Sequence, residues 1–235
     1  MAPLPSWIAS VDLTSLDRAK ETAVSVAALC ATAIRLSTAC VCVHSERVAE
    51  AIAAHVPVVA TVVNFPDGNE TEESVKAETL MSIAAGASEI DVVWNYKAFL
   101  AGDVVAAIAP VRWVVDALEE AKSGAAVKVI IETGAIPSEK QREASDAIIA
   151  CIGTDVSRIY YLKTSTGKNG YTGATVEAAT AMLDAIQAKR LFETVGLKVS
   201  GGVRTVEIAV QFQALAGKYG CKHFRIGASS LLDGF

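Results

Sequence analysis

The 235-residue chain predicts an α/β fold built as a (β/α)₈ barrel. Three observations carry that prediction. Eight short β-rich runs alternate with stretches of helical period, which leaves a barrel or an open doubly wound sheet. No Gly-rich dinucleotide fingerprint follows the first strand, and that weighs against the open sheet. Finally, strand residues alternate between apolar and polar, the polar ones crowding toward strand C-termini, as on the lumen face of a barrel. In 89–95, Ile90, Val92 and Trp94 point one way, and Glu89, Asp91, Val93 and Asn95 the other. In 194–200, Leu197 and Val199 oppose Lys198 and Ser200.

The strand candidates are 7–13, 38–44, 57–65, 89–95, 127–133, 158–165, 194–200 and 223–228. Between the first two, 16–36 reads as a helix with Val26, Leu29, Cys30, Ala33 and Ile34 on one face. Ser45 is placed to cap the next helix, ahead of Val48 and Ile52. A third helix fits 71–85, stopped by Gly86. Within 103–122, Pro110 removes a hydrogen bond, so a kink or restart is expected. Ser138 and Gly153 bracket another helix, and 175–190 and 205–216 complete the series. No low-complexity segment or Pro/Ser-rich linker interrupts the chain, so one barrel domain over 1–235 is expected.

Composition narrows the function classes. Apolar residues make up 52% of the chain and charged residues 20%, enough for a sizeable core. A net charge of −5 argues against a general nucleic-acid surface, so any anionic ligand must meet a local positive pocket. The five cysteines (Cys30, Cys40, Cys42, Cys151 and Cys221) are odd in number and do not suggest a disulfide scaffold. The opening Met1-Ala2-Pro3-Leu4-Pro5-Ser6-Trp7 has neither the basic start nor the apolar run of a signal peptide. No apolar run approaches the roughly 18 residues of a membrane span. A cytoplasmic protein with no membrane partner is expected.

Two lysines sit where lysines are usually unwelcome. Lys163 ends the apolar run Arg158-Ile159-Tyr160-Tyr161-Leu162-Lys163, and Lys198 ends Val195-Gly196-Leu197-Lys198. On neighbouring barrel strands their ammonium groups would stand side by side, which is one way to make an amine nucleophilic at neutral pH. A free lysine, with a pKa of about 10.4, is only about 0.04% neutral at pH 7. A neighbouring cation and partial desolvation lower that pKa. Asp91, on the same lumen face, is placed to move protons directly or through water. The plainer alternative has both lysines snorkelling to solvent with Asp91 as their ion-pair partner.

A second set suits an anion. Gly201-Gly202-Val203-Arg204-Thr205 follows the seventh strand and Gly227-Ala228-Ser229-Ser230 the eighth. Glycines let backbone N–H groups approach phosphate closely, and a helix N-terminus adds positive potential. The loops after strands seven and eight are the habitual phosphate site of this barrel. Lys168, in Thr164-Ser165-Thr166-Gly167-Lys168, adds a charged head, with Thr166 beside it. Taken singly, each loop reads equally as turn glycines with a capping serine.

Cys40, Cys42 and His44 share one strand face, but such neighbours lie about 6–7 Å apart and lack a fourth partner, so no metal is expected. His55 and His223 carry no partner pattern. Lys128 and Glu132, which share the lumen face of the fifth strand with Ile130, are expected to form an interior polar pair.

Several blocks, in order, resemble deoxyribose-phosphate aldolase: Asp12-Leu13-Thr14, Ala60-Thr61-Val62-Val63-Asn64-Phe65-Pro66, Glu89-Ile90-Asp91-Val92-Val93, and Lys128-Val129-Ile130-Ile131-Glu132-Thr133. They continue with Leu162-Lys163-Thr164-Ser165-Thr166-Gly167, Lys198-Val199-Ser200-Gly201-Gly202-Val203-Arg204-Thr205 and Arg225-Ile226-Gly227-Ala228-Ser229-Ser230. The resemblance implies a class I aldolase, free of metal and cofactor, that cleaves 2-deoxy-D-ribose 5-phosphate to glyceraldehyde 3-phosphate and acetaldehyde. It matches Lys163 to the Schiff-base lysine, Lys198 to the lysine that perturbs it, and Asp91 to the acid/base carboxylate. It matches Lys168, Gly201, Gly202, Ser229 and Ser230 to phosphate contacts, with Arg204 a further candidate. Cys42 matches a cysteine near the site that the proton chemistry does not need. The expected partners are a small phosphorylated sugar and further copies of the chain, a dimer being favoured. Against the family pattern the N- and C-terminal segments are short, so either a barrel partly open at the seam of strands one and eight or a trimmed form is expected.

Overall fold

The computed structural model describes residues 4–153 and 155–235. The opening residues Met1, Ala2 and Pro3, part of the stretch that shows no basic leader, lie outside them, as does Thr154. Eight parallel strands close into a barrel in the order of the sequence. They are β1 (Val11–Thr14), β2 (Cys40–Val43), β3 (Val59–Val63), β4 (Glu89–Val93), β5 (Ala126–Ile130), β6 (Tyr160–Lys163), β7 (Val195–Ser200) and β8 (Phe224–Ala228). The helices are α1 (Ala23–Leu36), α2 (Val48–Ala53), α3 (Glu72–Ala84), α4 (Tyr96–Leu100), α5 (Val104–Glu120), α6 (Gln141–Ile152), α7 (Val176–Ala188) and α8 (Val206–Lys218). None of them is long and apolar enough to cross a membrane.

The strands are shorter than their apolar runs, and the first differs in kind. Residues 7–10 are not strand: Ser6–Ser10 form a 3₁₀ turn that buries Trp7 and Ile8, and β1 starts only at Val11. An apolar run without period is consistent with either, and here the turn packs against β8 and α8. The seam is closed, with Val11, Asp12 and Leu13 opposite Ile226, Gly227 and Ala228. Leu231 and Leu232 are buried beyond it. The Phe235 ring stands edge-on to Trp7 at 5.6 Å, and Arg35 donates to the Phe235 carbonyl at 2.9 Å.

Helix boundaries follow capping chemistry. Thr22 and Ser25 form a reciprocal capping box that starts α1 at Ala23, seven residues into the expected stretch 16–36. Thr71, Asp103, Thr175 and Thr205 cap α3, α5, α7 and α8 through their side chains. Ser45 does not cap α2; it begins a 3₁₀ turn and its hydroxyl donates to Glu78 at 3.2 Å. Ser138 likewise begins a 3₁₀ turn ahead of α6. Pro110 causes no restart, because α5 runs unbroken through it with the ring buried. Its missing N–H leaves only the Ala106 carbonyl without a helical donor.

Outward strand residues such as Val41, Ile90, Val129, Leu162 and Leu197 are fully buried beneath the helices. Truncating one of them, Leu162→Ala for instance, would cost about 2–5 kcal/mol. The lumen is the unusual part. Beside β2 and β3 it is filled by a small apolar cluster, where Cys40, Cys42, Ala60 and Val62 pack with Leu16. Much of the rest is charged.

Candidate functional site

The strand register decides which charges meet. Lys163 lies directly opposite Lys198, Asp91 opposite Lys128, and Lys198 opposite Arg225. All point inward, and Lys128, Lys198, Asp12 and Asp91 are completely buried. One oxygen of Asp91, Oδ2, accepts from Lys163 and from Lys198, each at 2.7 Å, and Oδ1 accepts from Lys128 at 2.9 Å. Asp12 sits one layer below. Its Oδ2 is 2.6 Å from Lys198 Nζ and 3.2 Å from Lys128 Nζ, as ion pairs without hydrogen-bond alignment. Its Oδ1 accepts from Arg225 at 2.6 Å.

The four basic groups are not equivalent. Burial works against every cation here. For Lys198 the carboxylates of Asp12 and Asp91 outweigh it and hold the pKa above the usual lysine value. Burial likewise opposes the Lys128 charge, but Asp12, Asp91 and Glu89 raise it well above. Lys163 goes the other way: burial lowers its pKa, Asp91 only partly compensates, and the Lys198 ammonium lowers it further. Burial alone would raise Asp91, yet Lys128, Lys163 and Lys198 together pull its carboxyl far below the ordinary range.

Above this network opens a cavity of about 510 Å³, and Lys163 is the lysine of the network that lines it. The loops after β6, β7 and β8 bring Thr166, Lys168, Gly201, Gly202, Arg204, Ser229 and Ser230 to its wall, and Gly227 reaches it from the end of β8. Gly201 and Gly202 carry φ of 82° and 83°, a left-handed pair that side-chain-bearing residues resist. Their backbone turns directly into the capped N-terminus of α8. Gly227 is needed for another reason: a Cβ there would stand 3.1 Å from Lys198 Cε and 2.9 Å from Ser200 Cβ. The ends of β6 and β7 are stitched by Ser200 N–H donating to Thr164 Oγ1, and Thr164 Oγ1 to the Ser200 carbonyl, both at 2.9 Å. The wall also includes Thr14, Leu16, Asp17, Lys20 and Leu29 from the end of β1, the first loop and α1, which sequence reasoning did not assign.

Two expectations need correction. Thr166 lines the cavity, but its hydroxyl and its backbone N–H both point to Glu132, so neither donor is left for a ligand. Lys128 and Glu132 do not pair. Strand β5 ends at Ile130, and Glu132 adopts a left-handed conformation that swings its carboxylate to Thr166 and Asn169. Lys128 instead serves Asp12, Glu89 and Asp91. Cys42 is fully buried beneath the cavity, its thiol pushed up to about 11 by burial and then by Asp91.

Asp12 is the principal residue that the site analysis missed. Its signal was present: a carboxylate inside Val11-Asp12-Leu13-Thr14 is as anomalous as a lysine at a strand end. Of the cysteine and histidine set, His44 pairs with Glu21. Asp12, Cys40 and Glu89 bring ligand atoms within 4.8 Å of one another, but Lys128 and Arg225 already engage both carboxylates.

The sequence model of the DeoC/LacD family of aldolases matches residues 7–235. Among solved structures the chain is similar to a candidate deoxyribose-phosphate aldolase from Coccidioides immitis, at 28% identity and a TM-score of 0.80, over 97% of this chain and 85% of that one. It shares its fold with an aldolase designated QR15, at 24% identity and a TM-score of 0.80, over 97% and 93% of the two chains. It also shares its fold with the tetrameric deoxyribose phosphate aldolase of Aeropyrum pernix, at 24% identity and a TM-score of 0.75, over 96% and 88%.

Proposed function

From the premise that this chain belongs to the DeoC/LacD aldolase family, we propose that it is a class I aldolase cleaving 2-deoxy-D-ribose 5-phosphate reversibly to glyceraldehyde 3-phosphate and acetaldehyde. One observation carries the reading. Of the three lysines in the buried network, Lys163 alone reaches the cavity, and its pKa alone is driven down. That is the requirement for an amine that must attack a carbonyl at neutral pH.

In this reading the neutral Lys163 amine adds to the C1 aldehyde of the open-chain sugar, and loss of water leaves a protonated imine. The C3 hydroxyl then gives up its proton through water to Asp91 and becomes a carbonyl as the C2–C3 bond breaks. The bonding pair moves into C1–C2 and the imine π pair onto nitrogen. Glyceraldehyde 3-phosphate departs and an enamine remains on Lys163. Protonation at C2 and hydrolysis release acetaldehyde and restore the amine. Lys198, held charged by two carboxylates, supplies the permanent neighbouring cation. A carboxylate that contacts three lysine nitrogens, two of them held as ammonium, is a weak base. Asp91 therefore orients both lysines and relays a proton through water rather than holding one.

The phosphate is assigned to the Gly201–Gly202 turn, the α8 N-terminus, Ser229 and Ser230, with Lys168 and Arg204 supplying charge at the rim. The name of the Coccidioides protein supports the choice of sugar.

Incubation with acetaldehyde followed by borohydride should fix a two-carbon adduct on the peptide that carries Lys163, and Lys163→Leu should abolish it. Folded protein that takes up no adduct would overturn the reading. Product analysis with deoxyribose 5-phosphate tests the sugar.

A further inference from the structure

The charges inside the barrel do not balance. Among the described residues, the ion-paired stack of the lumen holds three carboxylates, Asp12, Glu89 and Asp91, against four basic groups, Lys128, Lys163, Lys198 and Arg225. A surplus of one is expensive in a buried setting, and the group with the fewest partners gives up its proton. Lys128 contacts three carboxylates, and Lys198 and Arg225 contact two each. Lys163 contacts one. The surplus therefore falls on the amine that faces the cavity.

The fourth cation comes from the far end of the lumen. Arg225 lies two residues before Gly227 on β8, and Glu89 is the first residue of β4. Arg225 Nη2 donates to Glu89 Oε1 at 2.8 Å and Nη1 to Asp12 Oδ1 at 2.6 Å. Its guanidinium also lies 5.5 Å from the centre of the Tyr161 ring. Neither Arg225 nor Glu89 lines the cavity. Other titratable groups face the stack as well. Burial raises the Cys40 and Cys42 thiols and the Tyr161 hydroxyl, which leaves all three neutral. Glu132 is buried within reach of Lys163; burial raises its carboxyl, and its hydrogen bonds go to Thr166 and Asn169 rather than to a basic group of the stack.

We propose that Arg225 and Glu89 are positioning residues that set the charge balance of the lumen and thereby decide whether Lys163 carries a proton. Without Arg225 the count is three against three, and the network would keep Lys163 as an ammonium. Without the Glu89 charge, a second surplus would press on it.

The proposal deepens the aldolase reading, but its test does not depend on aldehyde chemistry. The pH dependence of Lys163 acetylation by acetic anhydride, followed on its own peptide, reads the protonation of that amine directly. A unit charge about 10 Å away across an effective dielectric of about 20 moves a pKa by about one unit. Arg225→Met should move the labelling midpoint up by about one pH unit, and Glu89→Gln should move it down by a similar amount. The double variant should return near the starting value, and Arg225→Lys, which keeps the charge, should hold it. A merely structural role would not produce shifts of opposite sign that cancel. Should Arg225→Met fail to fold, Arg225→Lys and Glu89→Gln carry the same decision. Midpoints that stay put, or that move in one direction for both single variants, would overturn the proposal. Unmoved midpoints in a protein that still traps acetaldehyde discard the charge-balance proposal alone. Shifted midpoints in a protein that traps none discard the aldolase reading alone.

Discussion

Replacing Lys198 with methionine removes one charge while keeping most of the side-chain shape. In the native lumen, Lys163 and Lys198 share a single Asp91 oxygen at 2.7 Å each. Their nitrogens are thus about 5 Å apart, and Coulomb's law at an effective dielectric of about 20 gives a repulsion of about 3 kcal/mol, or about 2 pKa units. No carboxylate is stranded by the change. Asp12 keeps Lys128 and Arg225, and Asp91 keeps Lys128 and Lys163. The Lys163 pKa should rise by one to two units (about 1–2 on that scale), cutting the neutral amine at pH 7 by about ten- to a hundredfold. The assay is the initial rate of borohydride trapping with acetaldehyde, measured across pH. The acid limb should move up in Lys198→Met and stay in place in Lys198→Arg. An unmoved limb, or the same displacement in both variants, would refute the account of Lys163 activation by its neighbour.

Two further predictions concern other parts of the molecule. Ser229→Ala with Ser230→Ala should raise KM for deoxyribose 5-phosphate, with little change for unphosphorylated deoxyribose; equal losses for both sugars would contradict the phosphate assignment. Asp12 and Asp91 both have folded pKa values well below the ordinary 3.8, so their contribution to stability is complete above about pH 4 and is lost as the pH falls toward the folded values. Urea midpoints should therefore be insensitive to these groups near neutrality and drop below about pH 4, and Asp12→Asn should flatten that drop.

Much of the barrel was legible because period-two alternation survives in strands whose inner face is charged. Glu89 and Asp91, or Lys198 and Ser200, mark the lumen as plainly as valines mark the outer face. What was not legible turns on local geometry that period cannot carry. Trp7 and Ile8 are as apolar as any strand pair, yet they cap the barrel from a 3₁₀ turn. The expected Lys128–Glu132 pair assumed a strand continuing through residue 132, and one left-handed residue redirects the carboxylate to Thr166. Lys163 and Lys198 were identified because charge at a strand end stands out. The ion-pair partners around them, Asp12 and Arg225, needed the register of β1 and β8, which is set across the seam rather than along the chain.

The burial of the ionic stack also divides the site by its response to ionic strength. Lys198, Asp91 and Asp12 are fully buried and Lys163 nearly so where it meets the cavity, so they are screened far less than exposed charges, for which the screening length is about 8 Å in physiological salt. Lys168 and Arg204 stand in solvent at the mouth. Added salt should thus weaken capture of an anionic ligand far more than it moves the protonation of the inner amine. On the proposed reading, the barrel wall shields that amine from the medium in which the sugar phosphate arrives.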